Sequence, residues 1–208
     1  MYYICSMLKN FFERTDYNTP VYESSNFVVI PTLGALIEGW LLIVPKVFYL
    51  NFSHLPSDQL EEVSQVINHL EERFLPLFEA SGTVVFEHGP SYTHSTAGCG
   101  VDYAHLHWIP TGFDLKQGVS EFLNLNFDWK TVDSLAEVKA NTMTGQDYLY
   151  LRDQSGNSFL TCREDVPSQT FRKVIAHYLN KPEQFDWKDN FGSQNINSVY
   201  SKLNIQRT

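Results

Sequence analysis

Proline stops two short apolar runs early in this chain, and those stops leave little choice in how the runs pair. Asn26-Phe27-Val28-Val29-Ile30 is closed by Pro31, and Trp40-Leu41-Leu42-Ile43-Val44 is closed by Pro45. Each is five residues long, and the glycine-punctuated stretch Thr32 to Gly39 joins them, which predicts an antiparallel pair of strands. Leu60, Val63, Ile67, Leu70 and Phe74 then recur at three- and four-residue steps, which predicts a helix capped by Ser57 and stopped by Pro76. Its first turn carries Asp58, Glu61 and Glu62, where carboxylates suit the positive end of the helix dipole. Thr83-Val84-Val85-Phe86-Glu87-His88 reads as a third strand, broken by Gly89-Pro90, and Asp102 to Pro110 as a fourth. The order β-β-α-β-β predicts an α+β fold with a mainly antiparallel sheet and a long helix packed on it.

The fourth strand carries the chemistry. Side chains alternate across a strand, so His105 and His107 project to one face with Tyr103 beside them, while Ala104, Leu106 and Trp108 face the other way. Just upstream, Ala97-Gly98-Cys99-Gly100 forms a glycine-rich turn whose backbone amides can approach an anion closely. Two imidazoles beside such a turn suit phosphate chemistry: one attacks phosphorus as a neutral nucleophile and the other donates to the developing negative charge. Two plainer readings stay open from the pair alone. One is a structural histidine pair; the other is half of a zinc site, with Glu87 or His88 as a third ligand, although no metal-ligand spacing accompanies it. Cys99 reads as a small loop residue, since no base is paired with it.

Beyond Thr111 the pattern weakens. Val119 to Leu125 suggests a further strand, and Asp147-Tyr148-Leu149-Tyr150-Leu151-Arg152 with Ser158-Phe159-Leu160-Thr161-Cys162 predicts a hairpin around Asp153 to Asn157. A helix is predicted from Pro167-Ser168, with Phe171, Val174, Ile175 and Tyr178 on its apolar side, and a last amphipathic segment from about Ser193 to Leu203. Ser168 and Gln169 with Arg172 suit a phosphate at that helix N-terminus, or equally an ordinary cap with a solvated arginine.

The formal net charge of −9, with no dense Lys/Arg run, argues against binding duplex nucleic acid through its phosphate backbone. A single nucleotide needs only a local pocket and remains compatible. Three widely spaced cysteines, Cys5, Cys99 and Cys162, give no disulfide framework. The N-terminus lacks the pattern of a signal peptide and the most hydrophobic window is too short to span a bilayer, so a cytoplasmic protein without a membrane partner is the expectation.

From about Asn18 to Thr111 the chain resembles the histidine triad (HIT) superfamily of nucleotide hydrolases and transferases. The resemblance is carried by Thr19 to Ile30, Gly39-Trp40-Leu41-Leu42-Ile43-Val44-Pro45-Lys46, Phe86-Glu87-His88-Gly89-Pro90 and His105-Leu106-His107-Trp108-Ile109-Pro110. It is similar to a bacterial diadenosine-polyphosphate-hydrolase-like branch with a longer C-terminal part. The implied division is a HIT-like nucleotide-binding catalytic domain over residues 1–125 and a C-terminal α/β extension over 126–208. In the family motif, three histidines alternate with apolar residues; here the middle one is His105, the third is His107, and Tyr103 replaces the first. Trp40 stands where many members place another histidine.

What the resemblance implies is a nucleotidyl-histidine mechanism. His105 would attack the α-phosphorus of a nucleoside polyphosphate or phosphoconjugate through Nε2, with its Nδ1–H held by a backbone carbonyl. His107 and the amides of Gly98, Cys99 and Gly100 would stabilise phosphate oxygens. Tyr103 would keep a hydrogen-bonding role, Trp40 would stack on the nucleobase, and Glu87 or His88 would touch ligand. No metal is required, though Mg²⁺ on the substrate's phosphates is compatible with the scheme. Small family members often form homodimers, an arrangement the resemblance allows here. Alternatively, residues 126–208 would cover the same sheet edge within one chain. A non-catalytic nucleotide-binding or sensing protein is the alternative function, and a metal-binding protein using His105 and His107 the third.

Overall fold

The structure is a computed structural model, and it describes residues 17–95, 101–142 and 145–205. The first two paired strands are β1, Tyr22–Glu23, and β2, Phe27–Pro31; β3 is Leu41–Pro45 and pairs antiparallel with β2. The β2–β3 connection turns back through two glycines of positive φ, Gly34 at 73° and Gly39 at 82°, a region that penalises any Cβ. Helix α1 spans Ser57–Arg73 and buries Leu60, Val63, Val66, Ile67 and Leu70. Pro56, not Ser57, holds the capping position, and no side-chain cap bond is made; Ser57 is the first helical residue. Strand β4, Thr83–Gly89, follows, and β5, Leu106–Pro110, pairs with both β3 and β4.

The segment expected as a strand near Val119 is instead helix α2, Leu115–Leu123. The Asp114 carboxylate accepts from the Gln117 amide at its start, and Asn124 ends it in the left-handed conformation. Leu115 and Val119 are one turn apart and share a buried stripe, so an apolar run read as a strand is one side of a helix. Strand β6 is Lys130–Val132, helix α3 is Leu135–Asn141, and the hairpin strands are β7, Tyr148–Arg152, and β8, Ser158–Cys162. Helices α4, Thr170–Tyr178, and α5, Ser193–Lys202, complete the chain.

The eight strands of the described residues lie in one sheet, in the order β1-β2-β3-β5-β4-β7-β8-β6, and every neighbouring pair is antiparallel. The fold is thus α+β with a wholly antiparallel sheet. Residues after 126 supply three of the eight strands, joined to the rest where β7 pairs with β4.

The sheet is covered on both faces. Helix α1 packs over Phe27, Val29, Leu41, Ile43, Val85, Leu106 and Trp108. The opposite face carries Trp40, Val84, Phe86, Ile109 and Leu149, packed with residues of α2, α4 and α5. Ala104, Leu106 and Trp108 turn to the α1 side as their alternation requires, which sends His107 to the other. Among the described residues, no helix is long and apolar enough to cross a membrane.

Candidate functional site

Strand β5 begins only at Leu106, so Tyr103 and His105 precede its ladder rather than belonging to it. The Ala104 amide donates to the Tyr49 carbonyl at 2.8 Å, which pins the approach to the strand. His105 then turns its ring back on its own backbone, with Nδ1 2.7 Å from the Tyr103 carbonyl oxygen. A carbonyl can only accept, so Nδ1 carries the proton and the Nε2 lone pair is presented. Burial holds the ring below the ordinary imidazole range, against the backbone bond that favours its charged form.

His107 sits between Leu42 on β3 and Phe86 on β4. Its ring stacks on Phe86, with centroids 4.5 Å apart, and stands edge-on to His105 at 5.0 Å. Its Nδ1 lies 2.9 Å from Nε1 of Trp40. An indole nitrogen can only donate, so here the logic reverses: Nδ1 is the acceptor and the proton is on Nε2. Burial, with His105 and Arg172 nearby, keeps this imidazole neutral far below its ordinary range. The two rings therefore present complementary edges, a lone pair on His105 and an N–H on His107.

His88 comes from β4, two residues from Phe86 and on the same face. One edge of the residue reaches the surface, but both ring nitrogens are screened from water and make no hydrogen bond. Burial pushes its pKa down to about 4, opposed by the Asp147 carboxylate. Glu87, one residue earlier, points to the opposite sheet face. It accepts from the Phe52 amide at 3.0 Å and from the Tyr148 hydroxyl. Burial raises its pKa to about 8. Of the two β4 candidates for ligand contact, the pleat brings only His88 into the pocket.

The pocket is closed from above by the start of α4. Phe86, His88, His105 and His107 line it from the sheet, and Gln169, Thr170, Phe171 and Arg172 from the helix. Arg172 is 2% exposed, so it is no solvated arginine. Its Nε donates to the Phe185 carbonyl at 2.8 Å and its Nη2 to the Gly34 carbonyl, while the guanidinium lies over Trp40 at 4.9 Å. A Cβ at Gly34 would stand 2.5 Å from that guanidinium, so the close approach as well as the positive φ demands glycine there. Gln169 adopts the left-handed conformation at the helix cap, and its Oε1 is buried with no partner.

Two expectations are corrected by this geometry. Trp40 is fully buried, edge-on to Phe86 and His107, and offers no open face on which a nucleobase could stack. Its work is the hydrogen bond to His107. The Tyr103 side chain packs among Val28, Ile30, Leu42 and Val44, and its hydroxyl donates to the Pro45 carbonyl at 2.8 Å. What position 103 gives the site is its main-chain carbonyl. Gly98, Cys99 and Gly100 lie outside the described residues. Among the described residues, no group of three His, Cys, Asp or Glu side chains is placed to hold a metal ion.

No family model matches the chain, and no curated protein matches it. Solved structures similar to it include a hypothetical histidine triad nucleotide-binding protein from Sulfolobus tokodaii, at 20% identity over 51% of this chain and 68% of that one, TM-score 0.43. Yeast Ap4A phosphorylase in complex with AMP is similar at 11% identity over 80% of this chain and 72% of that one, TM-score 0.42. A uridylyltransferase is similar at 8% identity over 88% and 86%, TM-score 0.46. These are distant likenesses of fold.

Proposed function

We propose that this protein is a nucleotide hydrolase or nucleotidyl transferase acting at the α-phosphate of a nucleoside polyphosphate or phosphoconjugate, with His105 as nucleophile. The observation that carries the reading is the pair of opposed tautomers. The Tyr103 carbonyl fixes the His105 proton on Nδ1, and Trp40 fixes the His107 proton on Nε2. Attack by the His105 lone pair forms a nucleotidyl-histidine and expels the group beyond the α-phosphorus; water then releases the nucleoside monophosphate. The His107 Nε2–H and the single ring N–H of a neutral His88 would donate to phosphate oxygens, and the positive end of α4 with Arg172 would favour the anionic part of the substrate. Any Mg²⁺ would enter with the substrate's phosphates. The histidine triad and Ap4A phosphorylase structures similar in fold are consistent with a nucleotide ligand.

A second reading has its own observation. The Tyr103 hydroxyl is committed to Pro45, so the first motif position contributes no side chain to the pocket. A protein that binds nucleotides without turning them over would fit that loss. Incubation with a panel of adenylated compounds decides between them. The enzyme reading expects released AMP and a covalent adenylyl group on His105. Tight adenylate binding with neither product would establish the second reading instead.

A further inference from the structure

We infer that Trp40 makes this site selective for its leaving group: the group expelled from the α-phosphorus departs as an anion, so phosphoanhydrides are cleaved and amine or alkoxide leaving groups are not. The inference rests on the proposed nucleotidyl-histidine chemistry and adds to it the class of bond that is broken.

Expulsion of an amine or an alkoxide needs a proton delivered to the departing atom; expulsion of a substituted phosphate, such as the nucleotide released from a diadenosine polyphosphate, does not, because its oxygen holds the electron pair near neutral pH. The question is which group in the pocket could deliver that proton. His107 stands edge-on to the His105 ring at 5.0 Å, and Trp40 disables it. To act as an acid, His107 would first need a proton on Nδ1. The indole N–H occupies that atom and can neither give way to a second proton nor accept one. A charged His107 would also be buried, 4% exposed, in a pocket it shares with the Arg172 guanidinium, which opposes its charge. An imidazole at position 40 could pass a proton along; an indole ends the chain.

The other candidates among the described residues, His88 apart, are committed elsewhere. His105 uses its N–H on the Tyr103 carbonyl and its lone pair on phosphorus. The Tyr103 hydroxyl is tied to Pro45, the Thr170 hydroxyl to the Pro167 carbonyl, and Glu87 lies on the far face of the sheet. His88 faces the pocket as a neutral ring in an environment that resists protonation, so it binds oxygen rather than donating a proton outright. What remains around the pocket is suited to an anion: the uncapped start of α4 and Arg172.

The step balances without an acid. The Nε2 lone pair of His105 forms the N–P bond while the bridging P–O bond breaks, and its electron pair leaves with the phosphate oxygen. The resulting nucleotidyl-imidazolium keeps its Nδ1–H on Tyr103. In the second step water forms the P–O bond, the N–P pair returns to Nε2, and one proton passes to solvent.

The test is a leaving-group series on the intact protein at fixed adenylyl group: ATP and a diadenosine polyphosphate against adenosine 5′-phosphoramidate and an alkyl ester of AMP. AMP release and the adduct on His105 are followed together. The anhydrides should react about 10²–10⁴-fold faster than the amidate and the ester, the usual worth of a missing general acid. Trp40→His should narrow that gap at least about tenfold, whereas a merely structural role for Trp40 would lower both classes by the same factor. An amidate cleaved by the unmodified protein within about tenfold of the best anhydride overturns the inference even if Trp40→His fails to fold. A folded Trp40→His variant with an unchanged gap removes Trp40 as the determinant. Failure of every compound to give AMP or adduct defeats the parent mechanism itself, a result distinct from loss of selectivity.

Discussion

Tyr103 serves two masters with two different atoms: its hydroxyl donates to the Pro45 carbonyl, while its own carbonyl holds Nδ1 of His105. The side chain fastens the segment into the apolar cluster of Val28, Ile30, Leu42 and Val44, and the main chain orients the His105 ring. The phenol is an unusable acid at this place, since burial and the neighbouring Tyr49 push its pKa up to about 12.

Tyr103→Phe separates the two roles. It removes the hydroxyl and leaves the buried Pro45 carbonyl without this donor, at a cost of about 1–3 kcal/mol. The His105 tautomer is set by the backbone, so kcat should fall by less than about tenfold while the midpoint of urea unfolding shifts clearly. A stability close to the parent combined with a collapse of turnover would show that the phenol itself enters the reaction. Tyr103→His is the complementary variant. Under the enzyme reading it changes turnover modestly; under the binding-only reading it is the change that recovers hydrolysis.

His105→Ala should abolish nucleotidyl transfer, with a loss of several orders of magnitude in kcat/KM expected for removal of a covalent nucleophile. The fold should survive, because the ladder of β5 begins one residue later. The measurement is AMP release together with the mass of the intact protein after mixing with substrate. Near-parental hydrolysis of every accepted substrate by the variant would exclude His105 from the role.

Buried groups of opposite shift give the pH dependence of stability two limbs. Glu87 is raised from 4.5 to about 8 in the folded protein, so between these values the folded state holds a proton that the unfolded state has released. Its contribution is complete below pH 4.5 and is lost as pH rises through about 8. His88 is lowered from 6.5 to about 4, and His105 and His107 are lowered too, so the unfolded state binds more protons below pH 6.5 and stability falls with acidification. Stability should peak near pH 6.5 and decline on both sides, by up to about 1.4 kcal/mol per pH unit for each proton involved. Chemical denaturation at a series of pH values tests this, and Glu87→Gln should flatten the alkaline limb alone. An unchanged alkaline slope in that variant would assign the limb to another group.

The fold was legible wherever a period and a breaker coincided. Pro31 and Pro45 ended β2 and β3 where a strand would have to stop, and the three- and four-residue steps from Leu60 to Leu70 marked α1. The hairpin around Asp153 was readable because the Asp153 carboxylate accepts from the amides of Ser155 and Asn157, a turn written in adjacent residues. Helix α2 was hidden because its decisive signals, the Asp114 cap and the left-handed Asn124, flank an apolar run without clear alternation. The shared face of His105 and His107 was legible from alternation alone. The bond from Trp40 was not, since it depends on the pairing of β3 with β5, which sets Leu41 opposite Trp108 and Leu42 opposite His107. No local pattern records that register. Trp40 did hold one usable hint: an indole N–H can only donate, and an imidazole nitrogen can accept it.

Arg172 links the C-terminal segment to the histidine pocket, and its substitution should separate charge from geometry. One guanidinium reaches the Gly34 carbonyl on the β2–β3 turn and the Phe185 carbonyl beyond α4, while also covering Trp40. A lysine keeps the charge but not the planar fork, so it cannot span both carbonyls in the same way. Arg172→Lys should therefore destabilise the fold by about 1–3 kcal/mol through an unpartnered buried carbonyl. It should also raise KM for anhydride substrates more than it lowers kcat, because the start of α4 would no longer be held against the sheet. Arg172→Met removes the charge as well and should add a further rise in KM that grows with the number of phosphates on the substrate. Steady-state kinetics on ADP, ATP and a diadenosine polyphosphate, run beside urea unfolding, measures both effects. Equal KM values across that series in Arg172→Met would show that the arginine only braces the helix and does not act on the anion.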